Sequence, residues 1–346
     1  MARTAVKAKE NYFVGEKDVS LVSSGCAVLD CALGGGFAEG RVINIIGDKS
    51  SGKTLLSIEL CANYTQKHRT AQIYYVESES AFDKGYAAAL GLPLEHVSFA
   101  AEDTKGVDDA VLTVEGLFEY IEAVIAETKK CATPALVVID SLDAFSDREE
   151  KKRKIDEGSY GANKAKKMSE MFRRVITDLE AAQITTVFVS QIRDNIGVTF
   201  GKKTTRSGGR ALDFYCSQVI EIAQIGQIKK MVQNVERVSG VNVRAKITKN
   251  KVGLPFREAE YSMLFGYGVD DVKASLDWLG SIKDTAMAEQ LGIKNLEKLA
   301  VTRFMKKLMV AEDEEFYGVR DKITAYVKKR WNEIEQGFLP TRRKYR

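Results

Sequence analysis

Short, unbroken apolar runs recur along the chain, each ending in small or polar residues. Val42-Ile43-Asn44-Ile45-Ile46, Ala71-Gln72-Ile73-Tyr74-Tyr75-Val76, Pro134-Ala135-Leu136-Val137-Val138-Ile139 and Thr185-Thr186-Val187-Phe188-Val189 are rich in β-branched and aromatic side chains. Such runs predict strands buried on both faces, as in a parallel sheet. Between them the apolar positions shift to helical spacing, from Leu55 to Ala62 and over about 82–90, 107–129 and 162–182. Val22 to Gly36 reads as a capped helix that ends in a glycine loop. A short strand is expected at 97–100, with further strands near 217–225, 241–248 and 256–265. Strand and helix in alternation predict an α/β fold with a mostly parallel central sheet flanked by helices. From about Asp270 the chain becomes polar and helical as far as Trp331, which predicts a small helical C-terminal domain. The expected division is an N-terminal arm over 1–20, an α/β core over 21–269, and a helical domain with a basic tail over 270–346.

One junction carries more chemistry than the rest. Gly47-Asp48-Lys49-Ser50-Ser51-Gly52-Lys53-Thr54 lies between the first buried strand and the first long helix. Strand, G-x-x-x-x-G-K-T, helix is the context of a phosphate-binding P-loop. The glycines let backbone N–H groups face phosphate oxygens, and the helix N-terminus adds partial positive charge. In this reading Lys53 reaches the β- and γ-phosphates of a nucleoside triphosphate and Thr54 ligates Mg²⁺. The run ending at Asp140 has the Walker B form, and Asp140 would hold the Mg²⁺, through water. The run ending at Val76 leads into Glu77-Ser78-Glu79-Ser80. Glu77 and Glu79 share a face. An acid there could position the attacking water, or both could be solvated acids at a strand end.

Two polar stretches interrupt the alternation. Residues 145–161 are highly charged and end Gly158-Ser159-Tyr160-Gly161, which predicts a surface loop. The helix after it carries Lys164, Lys166, Lys167, Arg173 and Arg174, a pattern that suits either a solvated face or a nucleic-acid backbone. The run ending at Gln191 enters a long glycine-rich loop over 193–210, where basic, glycine and apolar residues are interleaved. That mixture serves phosphates, close backbone approach and base stacking, as single-stranded nucleic acid requires, although a disordered basic loop has the same composition.

Composition narrows the class. The chain has 346 residues, 45% hydrophobic and 29% charged, which is globular and ample for a core. A net charge of +4 is too mild to identify a nucleic-acid partner by itself. Five scattered cysteines without a C-x-x-C fit reduced thiols, and two histidines exclude a histidine-rich metal site. No signal-peptide core or apolar run of membrane-spanning length occurs, so a cytoplasmic protein without a membrane partner is expected. The arm holds one apolar triplet, Tyr12-Phe13-Val14, which could pack on its own domain or on a neighbouring subunit.

Taken together, SSGKT, VVIDS, SQIRDNIGVTFGKKTTRSGGRALDFY and KITKNKVGLPFREAEY resemble the RecA recombinase family, bacterial and phage-encoded, over roughly residues 21–280. The resemblance implies a RecA-type P-loop ATPase core and a cofactor of ATP with Mg²⁺. It implies a homo-oligomeric helical filament on single-stranded DNA, which pairs that strand with homologous duplex DNA. By position, Glu79 matches the catalytic glutamate, and Asp83 and Tyr86 match residues that contact and stack on adenine. Gln191 matches the γ-phosphate sensor, and 145–161 and 193–210 match the two DNA-binding loops. Ile196 matches an apolar wedge between base triplets, with Tyr160 in the comparable place on the first loop. Arg193, Ser207, Gly208, Gly209 and Arg210 match phosphate contacts, and Lys166 and Arg173 match basic residues of the helix after the first loop. Lys249 and Lys251 match lysines that reach the neighbouring subunit's ATP, so the catalytic set would be complete only between subunits.

The chain departs from the family pattern in four places. The arm is shorter, Asp213 replaces an interface lysine beside a matching Phe214, the first DNA loop is longer and more charged, and the tail is basic. A basic tail implies weaker autoinhibition and easier duplex binding.

The expected function is a DNA-stimulated ATPase and homologous-recombination protein of a bacterial or phage-infected cytoplasm, with single-strand-binding and loader proteins as further partners. The alternatives are a recombinase paralogue that loads or caps filaments with little turnover, and a RecA-fold ring motor or regulator without strand exchange.

Overall fold

The computed structural model describes residues 19–78, 81–100, 113–146, 148–149, 161–194, 204–206, 209–340 and 342. Two short strands, β1 (Leu21–Val22) and β2 (Phe37–Ala38), pair around helix α1 (Ala27–Leu33). The chain then alternates through β3 (Val42–Gly47), α2 (Lys53–Lys67), β4 (Gln72–Glu77), α3 (Lys84–Ala89), β5 (Val97–Phe99), α4 (Val114–Cys131), β6 (Ala135–Asp140), α5 (Gly161–Ala181) and β7 (Thr185–Asp194). After these come β8 (Thr204–Arg206), α6 (Gly209–Tyr215), β9 (Gln218–Val232), β10 (Val235–Asn250), β11 (Glu258–Leu264) and β12 (Gly268–Val269). Helices α7 (Asp271–Ser281), α8 (Ala286–Gln290), α9 (Lys298–Leu308) and α10 (Asp313–Gly337) complete the described chain.

Among the described residues a ten-stranded sheet runs in the order β12-β11-β10-β9-β3-β7-β6-β4-β5, with β8 added on β7. The strands from β9 through β3 to β5 are parallel neighbours, whereas β9 to β12 pair antiparallel. The unbroken apolar runs follow from this layering. In β3, Ile43 and Ile45 belong to the hydrophobic cluster on one face, and Val42 and Ile46 belong to the cluster on the other. Ile73 and Tyr75 alternate with Tyr74 and Val76 in the same way. One face is covered by α2, α1 and the C-terminal helices, through Leu56, Leu60, Leu29 and Leu276. The other is covered by α4 and α5, through Leu117, Ile121, Phe172 and Leu179.

Caps set several of the helix starts. Thr113 Oγ1 accepts from Gly116 N at 3.0 Å ahead of α4, and Asp270 Oδ1 accepts from Lys273 N at 3.2 Å ahead of α7. The C-terminal helices are tied to the core by Ala27 N donating to Asp271 Oδ1 at 2.6 Å and by the two-pronged pair of Arg257 with Glu335. Trp278 and Trp331 pack with ring centroids 5.3 Å apart. Among the described residues no helix is long and apolar enough to cross a membrane.

The structure modifies two readings of the sequence. The strands expected near 217–225 and 241–248 are one long hairpin, Gln218–Val232 and Val235–Asn250, turned at Gln233 and Asn234, both at positive φ. The loop expected over 193–210 begins and ends inside regular elements. Arg193 pairs with Thr205 across β7 and β8, and Gly209 and Arg210 start α6.

Candidate functional site

The P-loop turns because two residues take left-handed backbone, Ser50 at φ 57° and Gly52 at φ 90°. At Gly47 a Cβ would lie 2.4 Å from the carbonyl oxygen of Ile222, so the strand end admits only glycine there. Lys53 folds back over the loop and donates to Gly47 O at 3.0 Å and Asp48 O at 2.7 Å. Ser51 is buried and its hydroxyl donates to Asp48 O at 2.9 Å, whereas Asp48, Lys49 and Ser50 face solvent. No side chain caps α2, and its first turn holds no acid. Its leading amides, with Lys53 and the half-buried Thr54 beside them, form a donor set that fits a polyphosphate.

Asp140 ends β6 at 6% exposure, and the Tyr75 hydroxyl donates to its Oδ2 at 3.0 Å. The turn after it is held by Ser78, whose N–H donates to Asp140 O at 2.9 Å and whose hydroxyl accepts from Ser141 N at 2.9 Å. Among the described residues there is no cluster of three or more His, Cys, Asp or Glu able to hold a metal ion. One hydroxyl and one carboxylate beside a phosphate site fit Mg²⁺, which keeps several waters and nucleotide oxygens as ligands.

Glu77 is register partner to Asp140, but its Oε1 accepts from Phe82 N and closes the loop before α3. Glu79 lies outside the described residues. Asp83 caps α3 by accepting from Tyr86 N at 2.9 Å. Tyr86 is only 8% exposed and belongs to the core, so the structure does not present it as an open stacking surface. Gln191 lies beside the P-loop, in register with Gly47. Its N–H donates to Asp143 Oδ2 at 2.7 Å. Nothing in the sequence pattern singled out Asp143; an acid three residues past a buried Asp is its sole signal.

Lys249 and Lys251 stand at the other end of the sheet. Asn250 pairs with Gln218, which pairs with Ile43, whereas the P-loop begins at Gly47. The strand between those two points rises about 13 Å, so neither lysine can serve the P-loop of its own chain. Lys249 Nζ donates to Asp213 O at 2.5 Å and Phe214 O at 2.8 Å, at the C-terminal end of α6. Burial, then the charge of Lys251, lowers its pKa. Lys251 is exposed, as is Phe214 at 73%.

The basic helix α5 divides by partner. Lys167 pairs with Glu115 and Glu149, and Arg174 pairs with Glu170. Lys166 and Arg173 are exposed and have no acid partner among the described residues. The backbone of Arg193, Gly209 and Arg210 is described, while Tyr160, Ile196, Ser207 and Gly208 lie outside the described residues.

The family model for the RecA N-terminal domain matches residues 8–270. Protein RecA of Synechococcus sp. (strain CC9902) is 34% identical over 275 residues, 80% of this chain and 65% of the relative. Protein RecA of Prochlorococcus marinus (strain NATL1A) is 35% identical over 259 residues, 75% of this chain and 63% of the relative. The match thus spans under two thirds of the length of these relatives.

Proposed function

The chain belongs to the RecA family, and on that premise we propose that it is a DNA-stimulated ATPase that forms ATP-bound filaments on single-stranded DNA and carries out homologous pairing and strand exchange in the cytoplasm. The observation that carries this reading is the course of β7. Gln191 lies in register with Gly47 of the P-loop, and two residues later Arg193 is already paired with Thr205 of the glycine-rich segment. A single strand therefore joins the phosphate end of the sheet to the segment with DNA-binding character.

In this mechanism the amides of the P-loop and of the α2 N-terminus hold the phosphates, and Lys53 leaves its two loop carbonyls for the β- and γ-oxygens. Thr54 and Asp140 would hold Mg²⁺, which would supply neutralisation of phosphate charge. Glu79 takes the proton of the attacking water, and Asp83 meets the adenine. Lys249 and Lys251 act on the next subunit's nucleotide, because the sheet keeps them from their own. Lys166 and Arg173, exposed and without acid partners among the described residues, join Arg193 and Arg210 in holding DNA phosphates. Gln191 senses the γ-phosphate and sets the geometry of the loop behind it.

The test is ATP hydrolysis with single-stranded DNA titrated in, run beside Glu79→Gln. Turnover is expected to rise with DNA in the parent protein and to collapse in E79Q. A parent protein that DNA does not stimulate refutes the proposal.

A further inference from the structure

We infer that Asp143 is a positioning residue that couples nucleotide occupancy to the DNA-binding segment by gripping the backbone of Gln191, an inference that rests on the function proposed above. The last registered pair of β6 with β7 is Ile139 with Phe188, and β6 ends at Asp140. β7 runs on to Asp194. The chain leaving β6 makes a short 3-10 turn, Leu142–Ala144, and Asp143 in that turn is 7% exposed. Its Oδ2 accepts from Gln191 N at 2.7 Å. The carboxylate therefore takes the place of the strand carbonyl that β6 no longer supplies.

Three elements meet at this residue. On the opposite edge of β7, Gln191 faces Gly47 of the P-loop. One residue farther on, Ile192 begins the pairing with β8 at Arg206. From the third side, Lys164 of the basic helix α5 donates its Nζ to the carbonyl oxygen of Asp143 at 3.3 Å. A charge-assisted bond in a buried setting is short, directional and stronger than a neutral one. When the Gln191 side chain turns toward or away from a γ-phosphate, its backbone moves against this fixed acceptor. The displacement then passes both to β8 and, through the 142–144 turn, to α5. Without the carboxylate, Gln191 can turn while the segment behind it stays where it is.

The experiment compares the full-length parent with Asp143→Ala and Asp143→Asn, measuring ATP turnover without DNA and at saturating single-stranded DNA. The readout is the ratio of the two rates, which a residue that merely pins the fold leaves unchanged even when it lowers Tm. D143A is expected to lower the ratio about tenfold or more, and D143N, whose amide oxygen still accepts, to keep it within about threefold. The gain in single-stranded DNA affinity given by a non-hydrolysable ATP analogue should fall in parallel, because coupling between two ligands is reciprocal. A D143A ratio within about twofold of the parent overturns the assignment, as does a D143N ratio as low as that of D143A. Should D143A not fold, Asp143→Ser, too short to reach Gln191, carries the same comparison. A parent without DNA stimulation overturns the proposed function itself, whereas stimulation that survives D143A overturns the role of Asp143 alone.

Discussion

Glu59 stands on α2 behind the P-loop, 7% exposed, with Oε1 accepting from Val269 N at 2.7 Å. Burial raises its pKa from 4.5 to about 7, the neighbouring Asp271 adds to the rise, and the Val269 N–H opposes it. The consequence for stability has a definite sign. Below pH 4.5 both folded and unfolded chains hold the proton and nothing is lost. Between 4.5 and about 7 the unfolded chain has released it while the folded chain has not, so stability falls as pH rises and levels off above that range. Each tenfold change in proton affinity is about 1.4 kcal/mol, so the full loss is about 3 kcal/mol. Glu59→Gln keeps an oxygen for Val269 N and never ionises. Its stability relative to the parent should therefore improve by about 2 to 3 kcal/mol between pH 5 and pH 8. Asp30 and Asp270, each raised to about 6, are present in both proteins and cancel in the difference. Urea denaturation of both proteins at the two pH values measures it. A difference between the proteins that is the same at pH 5 and pH 8 refutes the reasoning.

Three other perturbations follow from the geometry. Gly47→Ala places a Cβ 2.4 Å from Ile222 O and 2.5 Å from Ser51 Oγ, so β3 and β9 must separate. The cost is about 1–3 kcal/mol, read as a lower Tm together with weaker ATP binding in a titration; a variant normal in both contradicts the packing. Lys251→Ala and Lys53→Ala should each be nearly inactive alone, yet their mixture should recover turnover. About a quarter of randomly mixed interfaces pair an intact P-loop with an intact Lys251, and no recovery argues against action between subunits. Glu335→Gln removes the partner of the half-buried Arg257 and should cost about 1 kcal/mol, less at high salt. Denaturation at two ionic strengths measures this, and an equal loss at both rules out an electrostatic origin.

The strands around the P-loop were legible because parallel strands covered on both faces leave an unbroken apolar signature, as Val42–Ile46 does. The outer half of the β9–β10 hairpin was not, since Lys229, Lys230, Glu236 and Arg237 are exposed and no core-facing alternation marks them. Its turn is Gln233-Asn234, not the Asn-Gly pair that announces such hairpins. Glu77 and Asp143 show the limit for single residues. Glu77 ends a buried strand and Asp143 sits in the turn just past one, and both accept backbone N–H groups, from Phe82 and from Gln191. Which backbone group lacks a strand partner depends on where the neighbouring strand stops, a property of tertiary register. Tyr86, which the family resemblance matches to an adenine contact, packs in the core at 8% exposure, and no pattern in the sequence announced that burial.

The position of β3 also bears on the order in which the molecule can be made. Its two neighbours are β7, from Thr186 to Gln191, and β9, from Gln218 to Ile222, both encoded far downstream, whereas β4 finds β6 as soon as residue 140 has emerged. At ordinary rates of synthesis, Gly47 waits about ten to thirty seconds before the second of those strands leaves the ribosome. Throughout that interval the strand that presents the phosphate loop has no ladder on one or both sides. A nascent chain halted before residue 218 should accordingly bind no nucleotide. On the proposed function, translation then yields no half-built species able to grip nucleotide, and competence arrives in one step once both flanking strands are in place.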